Sequence, residues 1–456
     1  MLALTTLAFF ISYVVWFNYA PLTMVIQEEL GLTDGERGVI GLCNIALTIP
    51  SRLIIGMFVD RYGPRLTFSA LLVCAAIPCF MFASANTFAM LMVSRLLIGI
   101  IGAGFVVGVR MVAEWFPSKI SGLIQGLYAS WGNLGSAATS VGMVAIASIF
   151  GVLLSGGHTV SATGFDMHWR AAIAFTGILS AIYGVVYYFG VADTPPGTTF
   201  QRPLKHGAME VTSRKDFFLL LVTNLAFLGV MLLLTWRLLV AGLYDTQRAF
   251  MIAAMLGGVY LFQSFKAWTV NQSLMVGIKR YAKEERYRFS QVAILELATA
   301  VNFGSELASV TILPIFLMRL FGASPQLAGG LATVWVVSNV FFRPLGGLLS
   351  DFLNRKWTLC ILIIGLGGSF LLMGGVSSSS NLSRAILVTL LCALFVQAGQ
   401  GATYAMVPLI VRRLTGQVAG NVAAYGNVGA VAYLTVWTLL PKVSEALANS
   451  FQSLFF

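Results

Sequence analysis

The chain has 456 residues, of which 58% are hydrophobic and only 10% charged, and its formal net charge is +11. Soluble globular domains carry about 25% charged residues, so the composition excludes a water-soluble enzyme or binding domain and points to an all-α polytopic membrane protein. The positive balance alone fits either a nucleic-acid partner or the cytoplasmic face of a membrane protein, and the distribution of charge along the chain decides between them.

A bilayer-spanning helix needs about 20 apolar residues. Such runs occur at 4–26, 38–59, 66–84, 87–112, 120–150 and 170–193. The first is long enough to be a span rather than a cleavable signal. These six form an expected N-terminal bundle over residues 1–193. The polar, basic stretch 194–215, with "DTPPGTT", reads as a linker. Within the connector 194–288, residues 217–236 carry no charge and read as a span. Residues 249–265 are shorter, so a span and a re-entrant or interfacial segment both fit. After the basic run "KRYAKEERYR" come spans at 289–318, 325–350, 357–376, 385–411 and 417–440, which make a C-terminal bundle over 289–456.

If the N-terminus is cytoplasmic and the loops alternate, most of the 28 basic residues fall on the cytoplasmic side. They include Arg61, Arg65, Lys119, Arg202, Lys205, Arg214, Lys215 and the cluster at 279–288. This is the positive-inside asymmetry of a protein in the cell membrane, and it removes the need for nucleic acid. Cys43, Cys74, Cys79, Cys360 and Cys392 lie in apolar runs without ligand spacing, and His158, His168 and His206 form no cluster. No metal, cofactor or catalytic constellation is expected.

The most informative feature is an internal repeat. "RLIIGMFVD" carries Arg52, Gly56 and Asp60, and "RPLGGLLSD" carries Arg343, Gly347 and Asp351 at the same spacing. "GLIQGLYASWGNLG" and "GQVAGNVAAYGNVG" match at five positions when shifted by 294 residues: Gly122, Gly126, Gly132, Asn133 and Gly135 against Gly416, Gly420, Gly426, Asn427 and Gly429. The chain is therefore two homologous halves of the same orientation. The second half stops soon after its GNVG, so the partner of the sixth span, the last helix of the second bundle, is expected to be missing from this chain.

Asp60 opens the basic turn "DRYGPR" and should lie at the membrane face. Eight residues at a 1.5 Å rise place Arg52 about 12 Å further in, near the middle of a hydrocarbon core about 30 Å thick. Arg343 stands at the same depth relative to Asp351. A charge there is costly and marks function. The two matching spans offer no carboxylate at that depth, so the arginines are expected to face an anionic ligand. Gly56 and Gly347, and Gly132, Gly135, Gly426 and Gly429, would let neighbouring helices approach closely, while Asn133 and Asn427 need polar partners.

At these residues the chain resembles the nitrate/nitrite porter family of the major facilitator superfamily. "GMFVDRYGPR" is similar to the superfamily's cytoplasmic loop motif, "ASWGNLGS" and "AYGNVGA" to the family's two signatures, and "VRMVAEWFP" with the inserted apolar pair to its bacterial uptake branch. The resemblance implies two homologous six-helix bundles of the major facilitator fold with an inserted helix pair. It implies that Arg52 and Arg343 bind the anion, that Phe105 and Phe303 sandwich it, and that Asn133 belongs to the site, with Asn427 its repeat equivalent. Thr299 stands where the family often has a tyrosine, which shortens one hydroxyl contact. Gating falls to Asp60, Arg61, Arg65, Asp351 and the glycines. The chemistry agrees: nitrate and guanidinium are both flat, and the donor fork suits paired oxygens. On composition alone, Phe105 and Phe303 would read as ordinary packing.

Further charged positions follow from the residues. Arg110 and Glu114 are one helical turn apart and read as a structural ion pair, with a part in the conformational cycle as the alternative. Glu306, close to Phe303, is a candidate proton carrier, with a structural hydrogen-bonding role as the alternative. Arg95 would steer anions or snorkel. The reading is a monomeric secondary transporter of nitrate and nitrite, driven by protons through alternating access in the lipid bilayer. Nitrate/nitrite exchange, transport of another small anion, and a non-transporting receptor or truncated remnant remain open alternatives.

Overall fold

The computed structural model describes residues 1–155, 167–240, 242, 245–376 and 381–443. Among them all regular structure is helical, because in hydrocarbon a helix alone satisfies every backbone group within its own segment. In chain order the helices are α1 (Leu2–Phe17), α2 (Thr23–Leu30), α3 (Asp34–Ala46), α4 (Thr48–Tyr62), α5 (Pro64–Cys74), α6 (Ala76–Ala83), α7 (Phe88–Ile98), α8 (Gly104–Trp115) and α9 (Ser121–Ser155). There follow α10 (Trp169–Gly190), α11 (Arg214–Val240), α12 (Thr246–Met275), α13 (Phe289–Phe321), α14 (Pro325–Phe352), α15 (Arg355–Gly374), α16 (Leu382–Ile410) and α17 (Thr415–Val443). Twelve helical stretches among the described residues are long and apolar enough to cross a bilayer, and α17 adds a further helix of 29 residues.

Several expected spans are built from two successive helices. The span read at 38–59 breaks at Leu47 into α3 and α4, with Pro50 in the first turn of α4, where a missing N–H is tolerated. The span read at 87–112 changes at Gly99–Ala103 to a tighter 3₁₀ turn between α7 and α8. The segment read at 249–265 is the middle of α12, a continuous helix of 30 residues whose length and composition suffice to span. Arg248 and Lys266 made it look shorter than it is. His168 caps α10, its Nδ1 accepting from the Ala171 N–H; His158 lies outside the described residues.

The chain divides into two compact units. The first comprises Met1–Trp115, Trp131–Glu210 and Met231–Gln272; the second comprises Phe116–Ser130, Val211–Val230 and Ser273–Phe456. Within the first, α10 packs on α5 and α6, and α1 and α4 both pack on α8. Within the second, α13 lies along α17, and α16 lies between α14 and α15. The start of α9 belongs to the second unit and its remainder to the first, as does the division of α11.

Candidate functional site

Arg52 sits on α4 with 2% of its surface exposed. Gly56, one turn on, is buried too. Asp60, at the end of α4, is fully buried and faces Arg110 of α8 at 3.5 Å. Arg110 also pairs with Glu114 at 3.0 Å, donates to the Gln201 carbonyl at 2.8 Å and lies over the Phe200 ring. The expected Arg110–Glu114 pair is thus one side of a three-membered cluster, which ties the loop motif to α8 and to the linker that follows α10.

The rest of the loop motif is braced locally. Gly63 adopts φ +87°, and a Cβ there would lie 2.5 Å from the Asp193 carboxylate. Asp193 accepts the Arg65 N–H at 2.8 Å. Burial pushes the Asp193 carboxyl up from its ordinary range, and the Arg65 hydrogen bond and charge work in the opposite direction. The Arg65 guanidinium donates to the Tyr188 carbonyl and stacks on the Tyr188 ring at 4.2 Å. Arg61 lies over the Tyr62 ring at 4.9 Å.

The signature glycines are contact points between backbones. In the first unit a Cβ at Gly132 would collide with Phe9, and one at Gly135 with the Phe10 carbonyl. In the second unit Gly426 receives Phe303 and Gly429 receives the Ala300 carbonyl in the same manner. Phe9 and Phe303 are related by the same shift of 294 positions as Gly132 and Gly426, so the repeat is one of helix packing as well as sequence. Phe105 is buried, 5.4 Å from Phe9 between ring centroids, and Phe303 is half-buried. Asn133 Oδ1, the Thr299 hydroxyl and both amide atoms of Asn427 are buried without a hydrogen-bond partner among the described residues. Buried polar atoms are ordinarily hydrogen-bonded, so each of these calls for a partner within its own unit or from outside the protein.

Arg343 is held by its backbone as well as its charge. A Cβ at Gly126 would lie 2.8 Å from the Arg343 carbonyl and 2.7 Å from Pro344 Cα, and one at Gly401 would strike the same carbonyl. One turn on, Gly347 meets the Gly122 carbonyl. At the end of α14, Asp351 accepts the N–H groups of Gly122 and Leu123 at 3.0 and 2.8 Å, the first turn of α9, where a carboxylate is favoured by the helix dipole. Arg355 pairs with Asp351 at 2.9 Å. Because two backbones touch at Gly126, Gly126→Ala is expected to lower the detergent-solubilised melting temperature, by the ~1–3 kcal/mol of an overpacked contact. A melt indistinguishable from the parent would refute that packing.

The expectation that both arginines lack a carboxylate is corrected here for Arg343. Its Nη2 lies 3.4 Å from Glu306 Oε2. The acid comes from α13, not from the matching span, so spacing within α14 could not reveal it. Gln400 of α16 completes the group: its Oε1 accepts from Arg343 and its Nε2 donates to Glu306. Asn339 Nδ2 donates to Glu306 Oε1 at 3.2 Å. Arg343 Nε is buried without a partner among the described residues. The candidate proton carrier and the candidate anion ligand are therefore in direct contact. Arg95 neither steers nor snorkels: it is 1% exposed and donates to Asn18 Oδ1 at 2.9 Å and to the Trp16 carbonyl, a brace within the first unit.

Sequence reading missed Gln400, Asn339 and a second buried acid on α13, Glu296. The signal was present: Glu296, Thr299, Asn302, Glu306 and Ser309 recur every three or four residues in an otherwise apolar helix, and all five are buried.

Residues 5–277 match the family described as the Major Facilitator Superfamily. The chain is similar to the "Nitrate/nitrite transporter NrtP" of Picosynechococcus sp., 51% identical over 97% of this chain and 85% of that one. It is also similar to the protein of the same name from Nostoc punctiforme, 46% identical over 95% of this chain and 86% of that one. Its fold resembles that of the human organic anion transporter MFSD10, with TM-score 0.60, 13% identity and coverage of 100% of this chain and 96% of that one. A two-fold sequence repeat, helices that span, an arginine buried in each half and relatives of this identity lead to one placement: the chain is a multi-pass membrane protein of the nitrate/nitrite porter family of the Major Facilitator Superfamily.

Proposed function

We propose that this protein carries nitrate, and nitrite, across the cell membrane by alternating access, coupled to protons moving inward, with its N-terminus in the cytoplasm and a single chain as the working unit. The observation that carries the reading is the buried Arg343–Glu306–Gln400 group beside the signature helices. Arg52 and Arg343, one from each repeat, hold the anion in this account. Phe105 and Phe303 pack on its faces, and Asn133, Asn427 and Thr299 offer it polar contacts. The names of the relatives at 51% and 46% identity support nitrate and nitrite as the substrates.

The Glu306–Arg343 contact gives coupling a physical form. While Glu306 is ionised it competes with the anion for the guanidinium. A proton on Glu306 withdraws that competitor and frees donors for nitrate, so proton and anion are favoured together. The electrical arithmetic points the same way. Bringing one negative charge in against a negative-inside potential costs about 2.3 kcal/mol per 100 mV, and each proton carried with it offsets one such cost.

The test is uptake of labelled nitrate into proteoliposomes with and without an inward proton gradient. The expected result is accumulation that requires the gradient and that nitrite, but not chloride, inhibits. Uptake that ignores the gradient but rises with nitrite loaded inside would indicate exchange, and absence of any flux would refute transport.

A further inference from the structure

Proton coupling through Glu306 needs one carboxyl, yet α13 carries two. Glu296 stands ten residues before Glu306, about 15 Å along the helix axis, toward the end that adjoins the basic 279–288 connector. It is 1% exposed, and neither of its carboxyl oxygens has a hydrogen-bond partner among the described residues. Its surroundings are the opposite of those of Glu306, which has a guanidinium and two amide groups within reach.

The groups around Glu296 can be named helix by helix. From α17, Tyr425 is the titratable group near enough for a charge on Glu296 to be felt. The Tyr425 hydroxyl is committed to the Thr223 carbonyl of α11 at 2.9 Å, and its ring packs on Phe227 of α11 at 4.8 Å. Among the described residues α14, α15 and α16 bring no charged group to bear on it. A carboxyl sealed from water without cation or donor is a place to keep a proton, since an isolated ion there is strongly disfavoured. Between the two acids lie Thr299 and Asn302, whose side-chain polar atoms are also buried and unpartnered among the described residues. One helix thus carries an acid that faces a cation, a buried acid with no hydrogen-bond partner among the described residues, and, between them, Thr299 and Asn302.

We propose that Glu296 is a second proton-binding residue of the transport cycle, taking the co-transported proton from the Glu306 side and releasing it toward the connector end of α13. The inference rests on the proton-coupled reading of the site given above. The balance is simple. Glu306 loses the proton as its carboxylate returns to Arg343, one oxygen of Glu296 gains it, and that oxygen later gives it up to water; the anion itself is not chemically changed.

The experiment compares wild type, Glu296→Gln and Glu296→Asp in proteoliposomes containing a pH-sensitive dye. Two quantities are read: nitrate/nitrate counterflow at equal pH, which needs no net proton movement, and proton influx evoked by external nitrate. The expected result for Glu296→Gln is counterflow within about threefold of wild type and proton influx reduced at least tenfold. Glu296→Asp, which keeps a titratable group, is expected to recover part of the influx with a shifted pH profile. Undiminished proton influx in Glu296→Gln would overturn the proposal. So would a parallel loss of counterflow and influx in both variants, because Glu296 would then serve the fold or the anion site. Should Glu296→Gln fail to fold, Glu296→Asp decides alone: a pH profile identical to wild type overturns the proposal. Wild-type protein without nitrate counterflow is a separate failure, that of the transport reading itself.

Discussion

Arg343→Lys is expected to lower nitrate uptake by at least about 100-fold while leaving the protein folded. Hydrogen bonds to charged groups are worth ~1.5–3 kcal/mol each, and lysine cannot present the planar donor fork that matches two oxygens of a flat anion. Loss of two such contacts corresponds to about two or more powers of ten. Lysine is the informative substitution because it keeps a cation opposite Glu306. Glutamine would leave that carboxylate buried without its cation and confuse binding with stability. The same reasoning applies to Arg52, which is equally buried on its own helix. Uptake assays together with a melting curve in detergent separate the two effects. Normal uptake by either lysine variant would count heavily against the site.

The largest effect on stability is expected at Arg110. Its removal as Arg110→Ala leaves Asp60 and Glu114, both buried, without the cation they share. Breaking a buried pair from one side costs about 3–5 kcal/mol, because the remaining charge is uncompensated. Both carboxylates lose this pairing, so a cost within that range is expected, read as a large fall in melting temperature. Neutralising all three together, as Asp60→Asn, Arg110→Gln and Glu114→Gln, is expected to recover much of the loss, since no ion is left buried alone. A role confined to the conformational cycle predicts otherwise: Arg110→Ala would then melt like wild type and fail only in transport.

The fold was legible in the sequence to the extent that physics leaves a lipid-embedded chain little choice. Apolar runs of about 20 residues must be helices, and the structure has a helix at each. What the runs did not show was where a helix is interrupted, as at Leu47 and at Gly99–Ala103, because these breaks depend on Pro50 and on glycines whose effect is local. α12 was underestimated because charged residues near its ends resemble loop residues. The repeated packing around the candidate site was legible: Arg52 with Asp60, Arg343 with Asp351, and the glycines on which Phe9 and Phe303 sit.

The site was illegible where it depends on which helices are neighbours. Glu306 meets Arg343 across 37 positions of sequence, and Gln400 enters from 57 positions away. Asp351 caps a helix through Gly122, which stands 229 residues earlier. None of these pairings follows from spacing along one helix; each is set by how α9, α13, α14 and α16 pack. Glu296 was missed for a different reason. One acid among apolar residues seven positions before Phe303 reads as an isolated polar residue until its burial and its lack of partners are known.

Direct binding of nitrate to the purified protein, measured by calorimetry for wild type, Arg52→Lys, Arg343→Lys and the double variant, tests most plainly the proposal that the two arginines bind the anion. If both guanidiniums grip one ion, each single variant loses most of the affinity and the double variant loses little more than either alone. Wild-type affinity in either single variant would mean that the two arginines do not hold the same anion.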